Sequence, residues 1–510
     1  MPFTRMGTLL TFRNVSGMKP QKRVGSHGMI RGFLGLDIGG TGVKAALYDG
    51  SGTLLGLGRR SLEPIRHPDG RVEIEIETIE QAARAAVREA LRGQAAIPAA
   101  LAIVAQGQTF VSLDGEGRPL HPAILWYDSR ATKEAEALNR RLDEESAPAP
   151  RFSAIATGAK IRWWFQRDPE RMAAACRFLL LPDYFTWCWT GRAVTDPHTA
   201  GSTGLTDGGM TYHPAALSAV GLRPEQLAEI QPPGSVVGPL RSDVAESWGL
   251  PAGLPVVIGT NDQYAGALGA GVAGEGLLSV ATGTCLAAVT LVRGNPPSLP
   301  PGLFVGEFPL PGFSFVLAYA KTAGIALEWF RREFAPGLSL SDLDREAAAS
   351  PPGSRGITVI PHFDGKVSPT PRPEERGRFA GLGLHHQRAD LYRALLEALA
   401  FCLRENLEAL KAAGLGVAAI RAHGGGAASP FWLQMLADVT GLPVERGQVT
   451  EAATLGAAML AAAGSGEFAT VEEAVQRMFR TVQRYGPRSE MTASYREAYA
   501  RYARLSAISG

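Results

Sequence analysis

Two glycine-threonine turns, each set between apolar strand-like runs, constrain this chain more than any other feature of its sequence. The first lies within residues 33–48 and the second within residues 276–289. Glycine tolerates positive φ, so backbone N–H groups in such a turn can converge on an anion, and threonine hydroxyls add further donors. Two such turns predict two lobes that grip one polyphosphate.

The first turn also brings an acid and a base close together in sequence. Asp37 ends the first strand, where its carboxylate could hold Mg²⁺, and Lys44 could face phosphate oxygens. The alternative for either hairpin alone is an ordinary glycine-rich β-turn, and the pairing of the two favours phosphate binding. The sequence contains neither G-x-x-x-x-G-K-[ST] nor G-x-G-x-x-G between a strand and a helix, so Walker-type and Rossmann sites are disfavoured.

Composition narrows the class of protein. A chain of 510 residues is too long for one core, which predicts two or three domains. Its formal charge of +2 gives no indication of a nucleic-acid or membrane partner, and the substrate could be neutral. Its apolar runs are shorter than the ~20 residues of a membrane span. The four cysteines form no C-x-x-C pair, which favours a reducing cytoplasm over a zinc site or a disulfide framework.

The order of strands and helices indicates an α/β protein with two similar lobes. Strand-like runs lie at residues 33–38, 43–48, 53–59, 101–105 and 111–113, and helical segments lie near 77–92, 388–412, 430–440 and 454–463. We expect the lobes at residues 31–266 and 267–500, with residues 151–250 added to the first. Residues 1–30 are expected to be a disordered or wrongly assigned extension, and residues 501–510 a tail.

Several further segments follow the first turn in a distinctive order. They are Trp126 to Arg130, Leu181 to Asp183, Thr190-Gly191, Thr195-Asp196, Val237 to Leu240, Ile258 to Gly271, the second turn, Gly424 to Asp438, and Glu451 to Met459. With this ordered set the chain resembles the FGGY carbohydrate kinases of the actin-like ATPase superfamily, most closely the xylulose and ribulose kinase type. The resemblance implies two actin-like (ribonuclease H-like) lobes with the active site in the cleft between them.

The resemblance also implies roles for single residues. Asp262 would be the general base, and it would share the metal with Asp37; the alternative for Asp262 is the N-cap of a helix that begins near Tyr264. Sugar would be bound by Gln106, Gln108, Trp126, Asp128, Arg130, Asp262 and Gln263. ATP would be bound by Gly39, Gly40, Thr41, Lys44, Thr282, Gly283, Thr284, Gly425, Gly426 and Ser429, with the helix surface at Gly456 packed beneath the last three.

Some of these assignments have structural alternatives or depart from the family. Trp126, Asp128 and Arg130 could instead be a buried tryptophan beside an exposed ion pair. Gln108 stands where xylulose kinases typically have histidine, and residues 364–369 lack the Glu and Arg of the family's Gly-Glu-Arg-[ST]-Pro segment. The histidines lack metal-ligand companions, so we expect surface or capping positions for six of them: His121, His198, His362, His385, His386 and His423.

The expected activity is ATP- and Mg²⁺-dependent phosphorylation of a small neutral sugar, most simply a ketopentose as in a xylulokinase. Alternatives are a polyol such as glycerol or erythritol, a ketohexose, a hexose kinase of the repressor-and-glucokinase type, or a sugar-sensing ATP-binding protein with little transferase activity. A homodimer is one option for its assembly.

Overall fold

The computed structural model describes residues 30–146, 149–206 and 209–508, so the expected N-terminal extension lies almost wholly outside the described residues. The first part of the chain forms strands β1 (Arg31–Ile38), β2 (Gly42–Asp49), β3 (Leu54–Ser61), β4 (Ile65–Arg66), β5 (Val72–Ile74), β6 (Ile97–Ala105), β7 (Phe110–Leu113), β8 (Ala123–Ile124), β9 (Arg177–Leu180), β10 (Val194–Thr195), β11 (Glu229–Ile230), β12 (Val236–Pro239) and β13 (Pro255–Asn261). Its helices are α1 (Ile76–Leu91), α2 (Thr132–Glu144), α3 (Thr157–Arg167), α4 (Pro169–Met172), α5 (Leu181–Thr190), α6 (Pro197–Gly201), α7 (Pro214–Val220), α8 (Ser242–Trp248) and α9 (Asp262–Gly269).

The second part of the chain repeats this kind of organisation. Its strands are β14 (Leu277–Thr282), β15 (Leu286–Arg293), β16 (Phe304–Glu307), β17 (Phe313–Ala320), β18 (Thr358–Ile360), β19 (Arg378–Ala380), β20 (Ala419–His423), β21 (Val444–Gly447) and β22 (Thr481–Tyr485). Its helices are α10 (Gly324–Phe334), α11 (Leu340–Ala349), α12 (Arg388–Ala412), α13 (Pro430–Thr440), α14 (Ala452–Gly464), α15 (Val471–Met478) and α16 (Ser489–Ala507).

Two large sheets share one strand order over six strands, and the second sheet has an additional edge strand, β16. The first sheet runs β12-β13-β6-β1-β2-β3, and the second runs β22-β21-β20-β14-β15-β17-β16. In each sheet three central strands are parallel, and the strand after the glycine-threonine turn is antiparallel to the strand before it. This duplication confirms the expected α/β fold of two ribonuclease H-like lobes. Residues between these core strands add a five-stranded sheet, β4-β5-β8-β7-β9, to the first lobe.

Helices cover both faces of the first sheet, and its strands are apolar on both faces for that reason. Side chains alternate along β1, so Leu34 and Leu36 lie in the core beneath α1, whereas Phe33 lies in a core shared with α14. Gly35 is on the α14 face, where a Cβ would lie 2.0 Å from the carbonyl oxygen of Thr454. Asp37 follows on this same face, at the end of the strand.

Helices α9 and α14 cross in backbone contact between the two sheets. A Cβ on Gly269 would lie 1.8 Å from the carbonyl oxygen of Ala452, and a Cβ on Gly456 would lie 1.9 Å from that of Ala265. Gly456 therefore serves this crossing, and the expectation that it packs beneath the glycine segment after β20 is wrong. Within the described residues, the structure contains no helix that is long and apolar enough to cross a membrane.

Candidate active site

The first turn closes tightly and places its acid and base side by side. The Gly39 N–H donates to the Gly42 carbonyl at 2.9 Å, and Asp37 pairs in register with Lys44. Burial raises the pKa of Asp37 to about 7 although Lys44 lowers it, and the charges of Asp262 and Glu451 raise it further. Among the described residues, Asp37 Oδ1 is buried without a hydrogen-bond partner.

Asp262 is the first residue of α9, directly after β13. The helix is capped by Asn261, whose Oδ1 accepts a hydrogen bond from the Gln263 N–H at 3.0 Å. The N-cap alternative for Asp262 is therefore wrong, and the helix begins two residues earlier than expected. Burial raises the pKa of Asp262 to about 6, opposed by hydrogen bonds from Gln263 and by the charge of Lys44.

The second turn is held by the start of α10 and packs against the glycine segment that follows β20. The Gly283 carbonyl accepts from the N–H of Gly324, the first residue of α10, at 2.8 Å. A Cβ on Gly426 would lie 2.6 Å from that of Thr282. The structure thus brings the second turn and residues 424–426 together. Ser429 caps α13 and donates to Asp344 at 2.6 Å, so its hydroxyl is engaged within the lobe.

Asp262 interacts electrostatically with groups of both turns. Its charge raises the pKa of Asp37 in the first lobe. Burial raises the pKa values of Cys285 and Tyr319 in the second lobe, and the charge of Asp262 adds to both shifts. The Cys285 Sγ and Tyr319 hydroxyl lie 2.8 Å apart. One carboxylate therefore lies near the ends of both sheets, where α/β proteins build their sites.

Polar groups of the expected sugar segments surround Gly40 of the first turn. A Cβ on Gly40 would lie 3.0 Å from Gln106 Oε1, 3.3 Å from the Tyr127 ring and 3.6 Å from Trp126 Nε1. The Gln106 oxygen and the Tyr127 hydroxyl are both buried without partners in the described part of the chain. Unpartnered buried polar atoms are rare, so these two are suited to a polar ligand. Sequence reasoning missed Tyr127 because nothing in the sequence shows its contact with Gly40.

Gln108 adopts a left-handed backbone conformation, with φ of 60°. This conformation is uncommon for a residue other than glycine, and it clusters at functional sites. The Thr157 hydroxyl donates to the Gln108 carbonyl at 3.2 Å, and this hydrogen bond connects the segment of Gln108 to α3.

Asp128 and Arg130 form a buried network, contrary to the alternative of an exposed ion pair. Asp128 Oδ2 accepts from the Val72 N–H and from Arg130 Nη2, both at 2.6 Å, and Arg130 also donates to Glu73 at 2.6 Å. Asp128 Oδ1 accepts from Arg130 Nε at 2.9 Å. Both carboxylate oxygens are thus engaged inside the lobe, whereas Trp126 is partly exposed.

Glu451 is a second residue whose place sequence reasoning missed. It lies 2.7 Å from Lys44 and 2.5 Å from Arg59, and so links the first hairpin to the start of α14. The only indication in the sequence was that Glu451 is the first residue of the family segment that ends in Met459.

The expected surface or capping positions are wrong for three histidines, His121, His362 and His423, which are buried. His423 ends β20, and its Nε2 lies 2.8 Å from Ser279 Oγ. Burial and the charge of Lys44 lower the pKa of His423 to about 4, so the ring is neutral.

The described residues contain no cluster of three or more His, Cys, Asp or Glu side chains that could hold a metal ion. Mg²⁺ does not require such a cluster, since one or two carboxylates together with substrate phosphates and water complete its shell. The unpartnered Oδ1 of Asp37 fits this donor set.

Two ribonuclease H-like lobes, each with a glycine-threonine turn and with one aspartate near both, define a kinase of the actin-like superfamily. The sequence profile of the FGGY family of carbohydrate kinases matches this chain, with the N-terminal domain at residues 33–269 and the C-terminal domain at residues 278–465. The chain belongs to the FGGY family of carbohydrate kinases. This membership decides against the repressor-and-glucokinase alternative.

Named relatives extend along almost the whole chain. A xylulose kinase of Staphylococcus epidermidis is 26% identical over 488 residues, covering 92% of this chain and 95% of its own. An L-xylulose/3-keto-L-gulonate kinase of Escherichia coli is 29% identical over 496 residues, covering 94% and 97%. The crystal structure of xylulose kinase from Rhodospirillum rubrum has a TM-score of 0.81 at 27% identity, covering 94% and 98%.

Proposed function

We propose that this kinase transfers the γ-phosphoryl group of ATP to a hydroxyl of a small neutral sugar, most simply a ketopentose such as xylulose. The observation that carries the proposal is the place of the half-buried Asp262, at the end of β13 and at the first residue of α9, a helix that contacts strands of both sheets. The xylulose kinases among its relatives support the ketopentose. The substitution of Gln108 for the usual histidine leaves a polyol or a ketohexose as the second candidate.

In this proposal the two turns bind the phosphates of ATP from opposite lobes. Backbone N–H groups of residues 39–41 and 282–284 supply donors, and the Lys44 ammonium adds a positive charge. Gly425 leaves room for the flat adenine ring, since a Cβ there would meet only the Thr282 carbonyl oxygen at 3.9 Å, whereas at Gly426 the Thr282 side chain fills that space. Ser429 contributes the start of α13, since its hydroxyl is occupied by Asp344.

Asp37 and Asp262 are the proposed holders of Mg²⁺. When bound there, Mg²⁺ would neutralise phosphate charge during transfer. Burial and then the charge of Asp262 raise the pKa of Asp37, and a shared cation would offset the repulsion between the two carboxylates.

Asp262 would act as the general base. A sugar hydroxyl oxygen forms the new bond to the γ-phosphorus, its proton passes to Asp262, and the bond from the γ-phosphorus to the bridging oxygen breaks to release ADP. A pKa of about 6 leaves Asp262 ionised at neutral pH, and activity should therefore fall as the pH drops through about 6. Closure of the lobes would exclude water as a competing acceptor.

Gln106, Gln108, Trp126 and Gln263 are the proposed sugar contacts, with Tyr127 added from the structure. Asp128 and Arg130 would act indirectly, by holding the segment that carries Trp126.

The four cysteines, all free thiols, agree with a cytoplasmic location. Light scattering of the purified protein distinguishes a monomer from a homodimer.

The decisive experiment is ADP release across a panel of ketopentoses, ketohexoses and polyols, with Asp262→Asn beside wild type. Loss of a general base lowers kcat by ~10²–10⁴-fold. Asp243→Asn is the matched control, because Asp243 also lies in the first turn of a helix but is exposed and paired with Arg241. Near-normal turnover by Asp262→Asn would refute the base assignment. If ATP binds and every sugar fails as acceptor, the sensor alternative is favoured.

A further inference from the structure

Lys160 is a lysine with no exposed surface in the middle of α3. Its ammonium donates to the carbonyl oxygens of Leu125 at 2.8 Å and of Trp126 at 3.0 Å. Burial lowers the pKa of Lys160 to about 7, and the charge of Asp128 opposes that shift. A buried charge lowers stability unless it is well compensated, so a lysine in this place calls for a reason beyond packing.

The charges around Lys160 belong to the segment that it contacts. Asp128 and Arg130 both interact electrostatically with the ammonium, and Arg130 is paired with Glu73. Two cations and two carboxylates therefore lie beneath Trp126 in a balanced cluster. The Leu125 carbonyl also accepts from the Asp128 N–H at 3.1 Å, so Lys160 and the segment's own turn share one acceptor.

The same helix holds the other expected sugar segment. Thr157, at the start of α3, donates to the carbonyl of Gln108, which is in its left-handed conformation. Helix α3 thus contacts the backbone of both segments. The side chains of Gln106, Trp126 and Tyr127 lie close to Gly40.

We propose that Lys160 is a positioning residue for the sugar site, which fixes the Leu125 and Trp126 carbonyls and so holds Trp126 and Tyr127 against the first turn. The proposal rests on the proposed function, since it assigns these two side chains to the sugar. Fixed backbone acceptors make the segment rigid before substrate arrives, and that preorganisation reduces the ordering required on binding.

The test compares Lys160→Met, which removes all donors at similar volume, with Lys160→Gln, which keeps an N–H₂ group. The matched control is Gln226→Met, because Gln226 is also buried in the first lobe and donates to a backbone carbonyl, that of Ala175, at 3.1 Å. Lys160→Met should raise the KM for sugar about ten-fold or more, with the KM for ATP nearly unchanged. Lys160→Gln should recover part of this change, and Gln226→Met should leave the ratio of the two KM values as in wild type.

Hydrogen exchange of the ligand-free variants gives a second readout that requires no catalysis. Amides of residues 122–130 should exchange faster in Lys160→Met than in wild type, whereas amides of β14 and β15 should not change. Equal rises in both KM values, or unchanged exchange at residues 122–130, would overturn the positioning role. If Lys160→Met does not fold, Lys160→Gln carries both measurements.

The two proposals fail in different ways. A wild-type protein that phosphorylates none of the sugars contradicts the proposed function, and the exchange data then decide the role of Lys160 alone. If the wild type is active and Lys160→Met changes the KM for sugar and the KM for ATP equally, only the positioning role is contradicted.

Discussion

The first and second glycine-threonine turns occupy equivalent places in sheets of similar strand order, yet only the first has charged side chains in the strand positions next to the turn. Asp37 and Lys44 form the register pair next to the last in the first hairpin. The equivalent pair in the second hairpin is Ala281 and Ala287. The duplicated backbone can bind an anion in either lobe, whereas the groups suited to metal and phosphate charge are confined to one.

The charged first turn lowers the stability of the ligand-free protein, and the neutral second turn does not. Asp37 is held where burial disfavours its ionised form, and its neighbours Asp262 and Glu451 add to that effect. No such group exists at Ala281. Functional sites often contain groups that lower the stability of the ligand-free protein, and the two hairpins allow this cost to be measured within one molecule.

The largest expected effect comes from removal of the first turn's acid. Asp37→Asn should lower kcat by ~10²–10³-fold, because it removes charge stabilisation in the transition state. Steady-state assays over a range of Mg²⁺ concentrations measure the loss. Adding Ala281→Asp should not restore activity, since Lys44 and its partner Glu451 lie at the first turn; restored turnover would show that the two turns are interchangeable.

The same substitution should stabilise the ligand-free protein. The pKa of Asp37 is about 7 in the folded protein against an ordinary 3.8, so the folded state retains a proton that the unfolded chain releases. The stability contributed by that proton is present at low pH and is lost as the pH rises through about 7. At about pH 8 without Mg²⁺, Asp37→Asn should therefore raise the free energy of unfolding by up to about 4 kcal/mol, the free-energy equivalent of a pKa that moves from 3.8 to about 7. Chemical denaturation at that pH, repeated at about pH 4 where the difference should vanish, tests this; an equally large gain at both pH values would contradict it.

An intermediate effect is expected from the contact between the charged turn and α14. Glu451→Gln removes the carboxylate that holds Lys44 and Arg59, and it should raise the KM for ATP about three- to ten-fold, since Lys44 is partly exposed and its pairing is screened. The comparison is with Glu467→Gln, which breaks the exposed pair with Arg31. Similar KM values in the two variants would mean that Glu451 does not position Lys44.

The smallest effect should come from the neutral turn. Thr284→Ala should change kcat and the KM for ATP by less than about three-fold, because backbone N–H groups supply the donors there and the side chain is exposed. Isothermal titration with ATP and steady-state kinetics both measure it. A loss as large as that of Asp37→Asn would remove the distinction between the two hairpins.

The sequence was sufficient for the fold because its evidence is local and repeated. Patterns of adjacent residues predict both turns, the helices near residues 77–92 and 430–440, and the helix start at Ser429-Pro430, and the ordered motifs connect these elements. Contacts between segments that are distant in sequence leave no such pattern. Glu451 meets Arg59 across 392 residues, and Tyr127 meets Gly40 only after β8 is packed against its neighbours.

The sequence predicts a set of site residues, whose roles stay predictions, and it does not show which neighbours hold them. Asn261 and Asp262 are adjacent, and either could cap a helix whose start is uncertain by two residues. Burial of Asp128 depends on Val72 and Arg130, which come from different elements. The boundary between the lobes at residue 266 stays a prediction, because α9 begins at Asp262 in the first lobe and packs against strands of the second.

The helix crossing bears on attempts to divide this protein into modules. Helix α14 follows a strand of the second sheet yet packs against β1, β2 and β6 of the first, in a core that joins Phe33 and Tyr48 to Leu455 and Met459. A polypeptide cut in the connection between α9 and β14 would yield an amino-terminal half with an uncovered sheet face and a carboxyl-terminal half with an apolar helix projecting from it. Neither half should be soluble alone, whereas co-expressed halves should reassemble, which makes this connection a natural place for a split reporter.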